Sequence, residues 1–220
     1  MTQTPPSRPV LVTGASRGLG AGYALALARR GYHVIAVART VGGLEDLDDR
    51  IQAAGGSATL APLDITDAGA MQHLCRQTHD RWGGLHGWVH TAIHASPLTP
   101  APSIDDTDWA RAVATNADAT RRLIVYVAPL LGRDGRAVFF DDPNATGKFC
   151  GAYGATKAAQ MALVRAWAAE SARTGPQVTI QTPAPMATAT RARFYPGEDR
   201  AALAQAGAEG DRLCAAWCAG

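Results

Sequence analysis

From residue 9 to about residue 181, short apolar runs alternate with longer stretches whose apolar residues recur at helical spacing. The runs at 9–12, 33–38, 58–63, 85–91, 136–140 and 177–180 predict six strands, since short continuous apolar runs suit strands covered on both faces. Between them the spacing predicts helices over 19–30, 44–54, 68–82, 105–127 and 152–172. The fourth opens on Asp105-Asp106, whose charge suits the positive end of a helix. Strand and helix in strict alternation imply an α/β architecture: a parallel sheet, helices on both faces, right-handed crossovers. Residues 182–196 break into proline, threonine and arginine, and 199–219 are helical in character. No repeat, low-complexity tract or linker interrupts the pattern, so 1–220 reads as one domain.

A hydrophobic fraction of 47% is that of a globular chain. Formal net charge is +2, with 21 basic against 19 acidic residues, which gives no reason to expect a nucleic-acid or membrane-surface partner. No apolar stretch approaches the ~20 residues that span a bilayer, and the polar N-terminus lacks the apolar core of a signal peptide, so a cytoplasmic location is expected. Four cysteines are too sparse for a disulfide scaffold and their spacing suits no zinc site, so no metal is expected. Among the basic residues only Lys148 and Lys157 are lysines. Lysine is the cation that surroundings can tune, whereas arginine stays charged everywhere.

Thr13-Gly14-Ala15-Ser16-Arg17-Gly18-Leu19-Gly20 follows the first strand and opens the first helix. At such a turn backbone N–H groups and the helix's positive end can hold a phosphate, and glycine lets it approach closely. Gly14 to Gly18 also fits the G-x-S-x-G elbow of serine hydrolases with Ser16 as nucleophile. That rival needs a histidine late in the chain, and the last one is His94. Tyr153-Gly154-Ala155-Thr156-Lys157 places tyrosine and lysine on one helix face. An ammonium there draws the phenol's pKa down from its ordinary ~10, making it usable as an acid/base for hydride reduction of a carbonyl.

The TGxxxGxG spacing, with the YxxxK after the fifth strand, resembles the short-chain dehydrogenase/reductase family over nearly the whole chain. The resemblance implies a Rossmann-like doubly wound sheet in the order 3-2-1-4-5-6. It implies interconversion of a carbonyl and an alcohol on a small molecule, with Tyr153 as acid/base, Lys157 tuning it and holding the nicotinamide ribose, and Asn116 supporting a proton-relay water. The cofactor is expected against Gly14, Ser16, Arg17, Gly18, Leu19, Gly20, Arg39, Asp64, Ile65, Thr91, Ala92, Lys157 and Thr188, with Thr190 as the reserve for Thr188. At the end of the second strand Ala38 stands where an acid would accept the ribose hydroxyls of NAD, and Arg39 and Arg17 can meet a 2′-phosphate, so NADP(H) is expected. Asp64 reads either as the family's aspartate beside the adenine or as a helix cap. Residues 182–200 are expected to cover the substrate.

Three departures stand against the resemblance. Asp141-Asp142-Pro143 occupies the place of the family's catalytic serine; Asp142 either donates while protonated, yields its role to Thr146, or impairs the site. Impairment leaves a dinucleotide-binding sensor or partner subunit as the alternative function. Ile93 replaces a glycine beside the cofactor, so its side chain turns away or affinity suffers. The C-terminal stretch has no room for a seventh strand, leaving the sheet edge to the sixth or to a covering element. Apolar Met161, Leu163, Val164 and Trp167 on the Tyr153 helix exceed what one sheet face needs, so a homodimer or homotetramer is expected.

Overall fold

Strands β1 (Val10–Thr13) and β4 (Gly87–His90) are buried at every position, as the continuous apolar runs require. A computed structural model describes residues 8–219; the polar stretch before Arg8 lies outside them. With β2 (His33–Ala38), β3 (Ser57–Pro62), β5 (Arg136–Phe140) and β6 (Gln177–Gln181), they form one parallel sheet in the order β3-β2-β1-β4-β5-β6. The register sets Val12 between Ala36 and Val89. Because side chains alternate along a strand, Val10 and Val12 enter the core on one face and Leu11 the core on the other. The chain reverses direction across the sheet between β1 and β4, so a crevice opens at their carboxyl ends.

Helices α1 (Gly18–Arg29), α2 (Val41–Ala53) and α8 (Ala206–Ala219) cover the first face; α3 (Ala68–Trp82), α5 (Thr120–Leu131) and α6 (Gly151–Ser171) cover the second. The single helix expected over 105–127 is a composite. Asp105 caps α4 (Asp106–Ala112) by accepting from Thr107 and Asp108 backbone N–H, then a π-helical segment, Val113–Ala119, leads into α5. Helix α5 runs on through Pro129, which is exposed, so the hydrogen bond that proline cannot donate is lost on the solvent side. A short helix, α7 (Ala189–Phe194), forms inside the proline-rich stretch, started by Thr188, whose hydroxyl accepts from Arg191 N–H.

No seventh strand is present among the described residues, and β6 pairs with β5 alone. The C-terminal helix packs on a sheet face rather than along that edge: Leu213, Cys214 and Trp217 join Tyr23, Val89 and Val138 in one core. Helices α1 and α8 cross at glycines. A Cβ on Gly210 would lie 2.5 Å from the Gly22 carbonyl carbon, and one on Gly22 would run into the Ala206 carbonyl oxygen. The apolar surplus on α6 belongs to this protomer, since Met161, Val164 and Trp167 are core residues and Leu163 is half-buried. Beside Gly151, Arg165 and Glu170, α6 exposes the alanines at 155, 158, 159, 162, 166 and 169.

The glycine crossing is testable. Gly210→Ala should cost about 1–3 kcal/mol in urea unfolding, as overpacking does. Gly207→Ala, whose Cβ meets nothing within 4 Å, should be neutral or stabilising by up to about 1 kcal/mol. Equal effects from the two would contradict the crossing.

Candidate active site

The glycine loop is built by close approach. Gly14 sits at φ +86, where its N–H and that of Ala15 both donate to the Val37 carbonyl, at 2.9 and 3.1 Å. A Cβ on Gly14 would lie 2.7 Å from the Ala92 nitrogen, and one on Gly20 would overlap the Gly14 carbonyl. Gly18 differs: at φ +57, its missing Cβ faces only the Thr188 methyl, at 3.6 Å, so space is left there for a ligand. Arg17 occupies the N-cap of α1 and no side chain caps the helix. The free N–H groups and positive dipole end of a twelve-residue helix therefore face the crevice, a cradle suited to a pyrophosphate.

A cleft of about 670 Å³ runs across the carboxyl ends of the strands, within the range of small-molecule and cofactor sites. Every residue expected at the site lines it except Asn116. At one end Ala38 leaves no carboxylate on β2, and Arg17 and Arg39 are both exposed there. Arg39 is loosely paired, its Nη1 3.7 Å from Asp64 Oδ2. Asp64 does not cap α3; that is done by Asp67, which accepts from Ala70 N–H. Asp64 Oδ1 instead accepts from the Thr66 backbone N–H and hydroxyl, at 2.9 and 2.8 Å. Ile65 is buried beneath this end. Ile93 packs against Ala95, Ala145, Tyr153 and Phe194, while the atoms nearest Gly14 are those of Thr91 and Ala92. The branched side chain lines the cleft near Tyr153.

At that far end Tyr153 projects from α6 beside Asp142, which follows β5. The Tyr153 hydroxyl donates to Asp142 Oδ2 at 3.1 Å, and Asp142 Oδ1 accepts from Asn144 N–H at 3.0 Å. Burial, then the negative charge of Asp142, pushes the Tyr153 phenol above its ordinary range. This is opposite to the displacement expected from Lys157 alone. Thr146 does not take the serine's place, since its hydroxyl turns to the Pro143 carbonyl. A new oxyanion beside an ionised carboxylate is costly: two like charges about 4 Å apart at an effective dielectric near ~20 repel by about 4 kcal/mol.

Behind Tyr153 lies a buried polar chain that the sequence reading did not anticipate. Lys157 Nζ donates to Gln160 Oε1 at 2.7 Å, and Gln160 Nε2 donates to Thr120 Oγ1 at 2.9 Å. His90 bridges Thr120 and Thr13 through its two ring nitrogens, at 3.1 and 2.7 Å. Thr120 donates to the Asn116 carbonyl, so His90 is satisfied as a neutral ring with the proton on Nε2. Burial holds its pKa at about 3, which keeps it neutral. His90 is therefore a structural joint. Burial also pushes the Lys157 ammonium down to about 8, against the upward pull of Asp141 and Asp142.

Asn116 stands outside the cleft, fully buried on the π-helical segment. Its Oδ1 accepts from His94 N–H at 2.7 Å, and its Nδ2 donates to the His94 carbonyl and the Thr156 hydroxyl, at 2.9 and 3.0 Å. It clamps the loop after β4 to the helix that carries Tyr153. Gln160 and Thr156 share the inner face of α6 with Tyr153 and Lys157. That spacing was the available signal for both.

The family model described as short chain dehydrogenase matches residues 8–199. An uncharacterized oxidoreductase of Listeria innocua is 26% identical over 188 residues, covering 84% of this chain and 75% of the relative. A short chain dehydrogenase of Salmonella enterica superposes with a TM-score of 0.85 at 27% identity, covering 90% of this chain and 85% of that one. One from Shigella flexneri, solved in complex with NADP, gives 0.84 at 27% identity, covering 91% and 86%. With its parallel sheet in the order 3-2-1-4-5-6 and its glycine loop opening onto α1, the chain belongs to the short-chain dehydrogenase family of oxidoreductases.

Proposed function

We propose that the chain is an NADP(H)-dependent oxidoreductase acting on a carbon–heteroatom bond of a small molecule seated beside Tyr153. The observation that carries this reading is one continuous cleft with an uncapped helix start and two exposed arginines at one end and Tyr153, Asp142 and Lys157 at the other. When bound, the cofactor supplies or accepts a hydride at its nicotinamide ring. The 14–20 loop and the start of α1 hold the pyrophosphate. Arg17 and Arg39 meet the 2′-phosphate with charge-assisted hydrogen bonds, and the absence of an acid at Ala38 removes the usual partner of a free ribose hydroxyl. Lys157 and Thr188 flank the nicotinamide half. The NADP-bound relative from Shigella flexneri supports the choice of cofactor.

Carbonyl–alcohol interconversion is the reaction the family resemblance implies, with Tyr153 exchanging the proton. Asp142 competes for that proton, and the same contact favours a second reading, a dinucleotide-binding sensor or partner subunit without turnover. NADPH binding without reduction of ketones, aldehydes, quinones or imines would select it. For carbonyl–alcohol interconversion, which needs the Tyr153 proton, Tyr153→Phe should abolish turnover while NADPH binding persists.

Two further outcomes are expected. Arg39→Ala should weaken NADPH about ten-fold in a fluorescence titration and leave NADH within about two-fold, since the lost partner is the 2′-phosphate. Equal losses for both cofactors would contradict the assignment. The second concerns Lys157, whose folded pKa of about 8 lies below the ordinary 10.5. Between those values the unfolded chain keeps a proton that the folded chain has shed, so this site's contribution to stability rises with pH across that window. Relative to Lys157→Gln, the cofactor-free wild type should gain up to about 3 kcal/mol in urea melts between pH ~8 and ~10.5. A constant gap would contradict the buried ammonium.

A further inference from the structure

Resting on the reading of this cleft as a hydride-transfer site, we infer that the substrate group seated at Asp142 and Tyr153 is a protonated nitrogen, an iminium reduced to an amine, rather than a carbonyl oxygen.

Charge is the first argument. Asp142 faces the cleft and forms no ion pair among the described residues. Its neighbours are committed elsewhere. Asp141 is paired with Arg165 at 2.8 Å, and Arg191 is held by both carboxylate oxygens of Glu198. Lys157 is buried and donates to Gln160. The reacting end therefore carries a carboxylate with no cation at ion-pair distance, the buried Lys157 acting on it only from farther off. A cationic substrate supplies one, while a carbonyl that gains negative charge worsens the imbalance.

Hydrogen-bond polarity is the second. A carboxylate only accepts, and a carbonyl oxygen only accepts, so the two have nothing to exchange. The Tyr153 proton is already directed at Asp142. An iminium N–H is a donor and can take one of the remaining acceptor positions of Asp142 without displacing Tyr153. The walls suit an organic cation: Tyr153, Phe194 and Ile93 line the cleft here, the two rings lying 5.3 Å apart between centroids.

Proton demand is the third. Reducing a ketone requires a hydride at carbon and a proton at oxygen. Reducing an iminium requires only the hydride, drawn from the reduced nicotinamide: a C–H bond forms, the C=N π pair becomes the nitrogen lone pair, and the nitrogen's positive charge is cancelled. The amine then takes a proton from water. Tyr153, whose proton is held more firmly than an ordinary phenol's, is not asked to release it.

The test compares 3,4-dihydroisoquinoline with 1-tetralone, a ketone of matched ring size, in the presence of NADPH. In parallel, calorimetry measures 1,2,3,4-tetrahydroisoquinoline binding to the protein loaded with NADP⁺. The wild type should reduce the imine with kcat/KM at least about ten-fold above the ketone, Asp142→Ser should narrow or invert that preference, and Asp142→Asn should weaken the amine about ten-fold. NADPH titration of each variant checks that it folds and separates the two levels of the argument. Loss of NADPH binding in the wild type would sink the cofactor reading itself. With NADPH bound, a ketone preference, an amine affinity indifferent to Asp142, or no reduction of either compound would overturn the iminium assignment and leave the cofactor reading standing.

Discussion

The carboxyl end of β5 and the first turn of α6 meet at one contact, the Tyr153 hydroxyl donating to Asp142. A phenol is useful at a reacting centre only if its proton can move, and two environments pull on this one. A cation one helical turn away would loosen it. Burial and a carboxylate at 3.1 Å tighten it, and these are the larger effects. The chemistry the cleft can support follows from that balance. The uncapped start of α1 with the exposed Arg17 and Arg39 lies at one end of the cleft, and Ile93 and Phe194 line it at the other.

The scaffold behind Tyr153 is held by polar contacts rather than by apolar packing alone. Thr13 on β1, His90 on β4, Thr120 at the start of α5 and Gln160 on α6 form one hydrogen-bonded chain ending at Lys157. Asn116 adds a second clamp from the π-helical segment to the loop after β4 and to Thr156. Buried polar groups are stable only when satisfied, and a satisfied network fixes one arrangement of its members. Elements far apart in sequence thereby hold the tyrosine and lysine in register, at the cost of a buried ammonium whose pKa falls to about 8.

Much of this was legible in the residues because local chemistry dictated it. Gly14, Gly18 and Gly20 are needed where backbones nearly touch or a ligand must pass, and the i, i+4 pair Tyr153 and Lys157 can share only one face. The helices over 68–82 and 152–172 followed from periodicity, and the strand order from the family resemblance. Three things were not legible because they depend on contacts between distant segments. Asn116 sits on a π-helical turn, and a pattern of apolar positions cannot report a one-residue change of helical register. The docking of α8 rests on Gly22 meeting Gly210, which no local signal announces. Met161, Val164 and Trp167 looked surplus on a helix taken alone and became core once the second face of the sheet was assembled. The aspartates after β5 were visible as a departure, but whether Asp142 would face Tyr153 or solvent was decided by the turn through Asn144.

The most direct measurement is the ionisation of Tyr153 itself, followed by the ¹³Cζ resonance of labelled tyrosine in the cofactor-free protein, with Tyr153→Phe used to assign the signal. The account predicts that the phenol stays neutral past the ordinary tyrosine value of about 10 and becomes easier to ionise when Asp142 is replaced by serine. A phenolate forming below pH ~9 in the wild type, or a titration indifferent to Asp142, would contradict it.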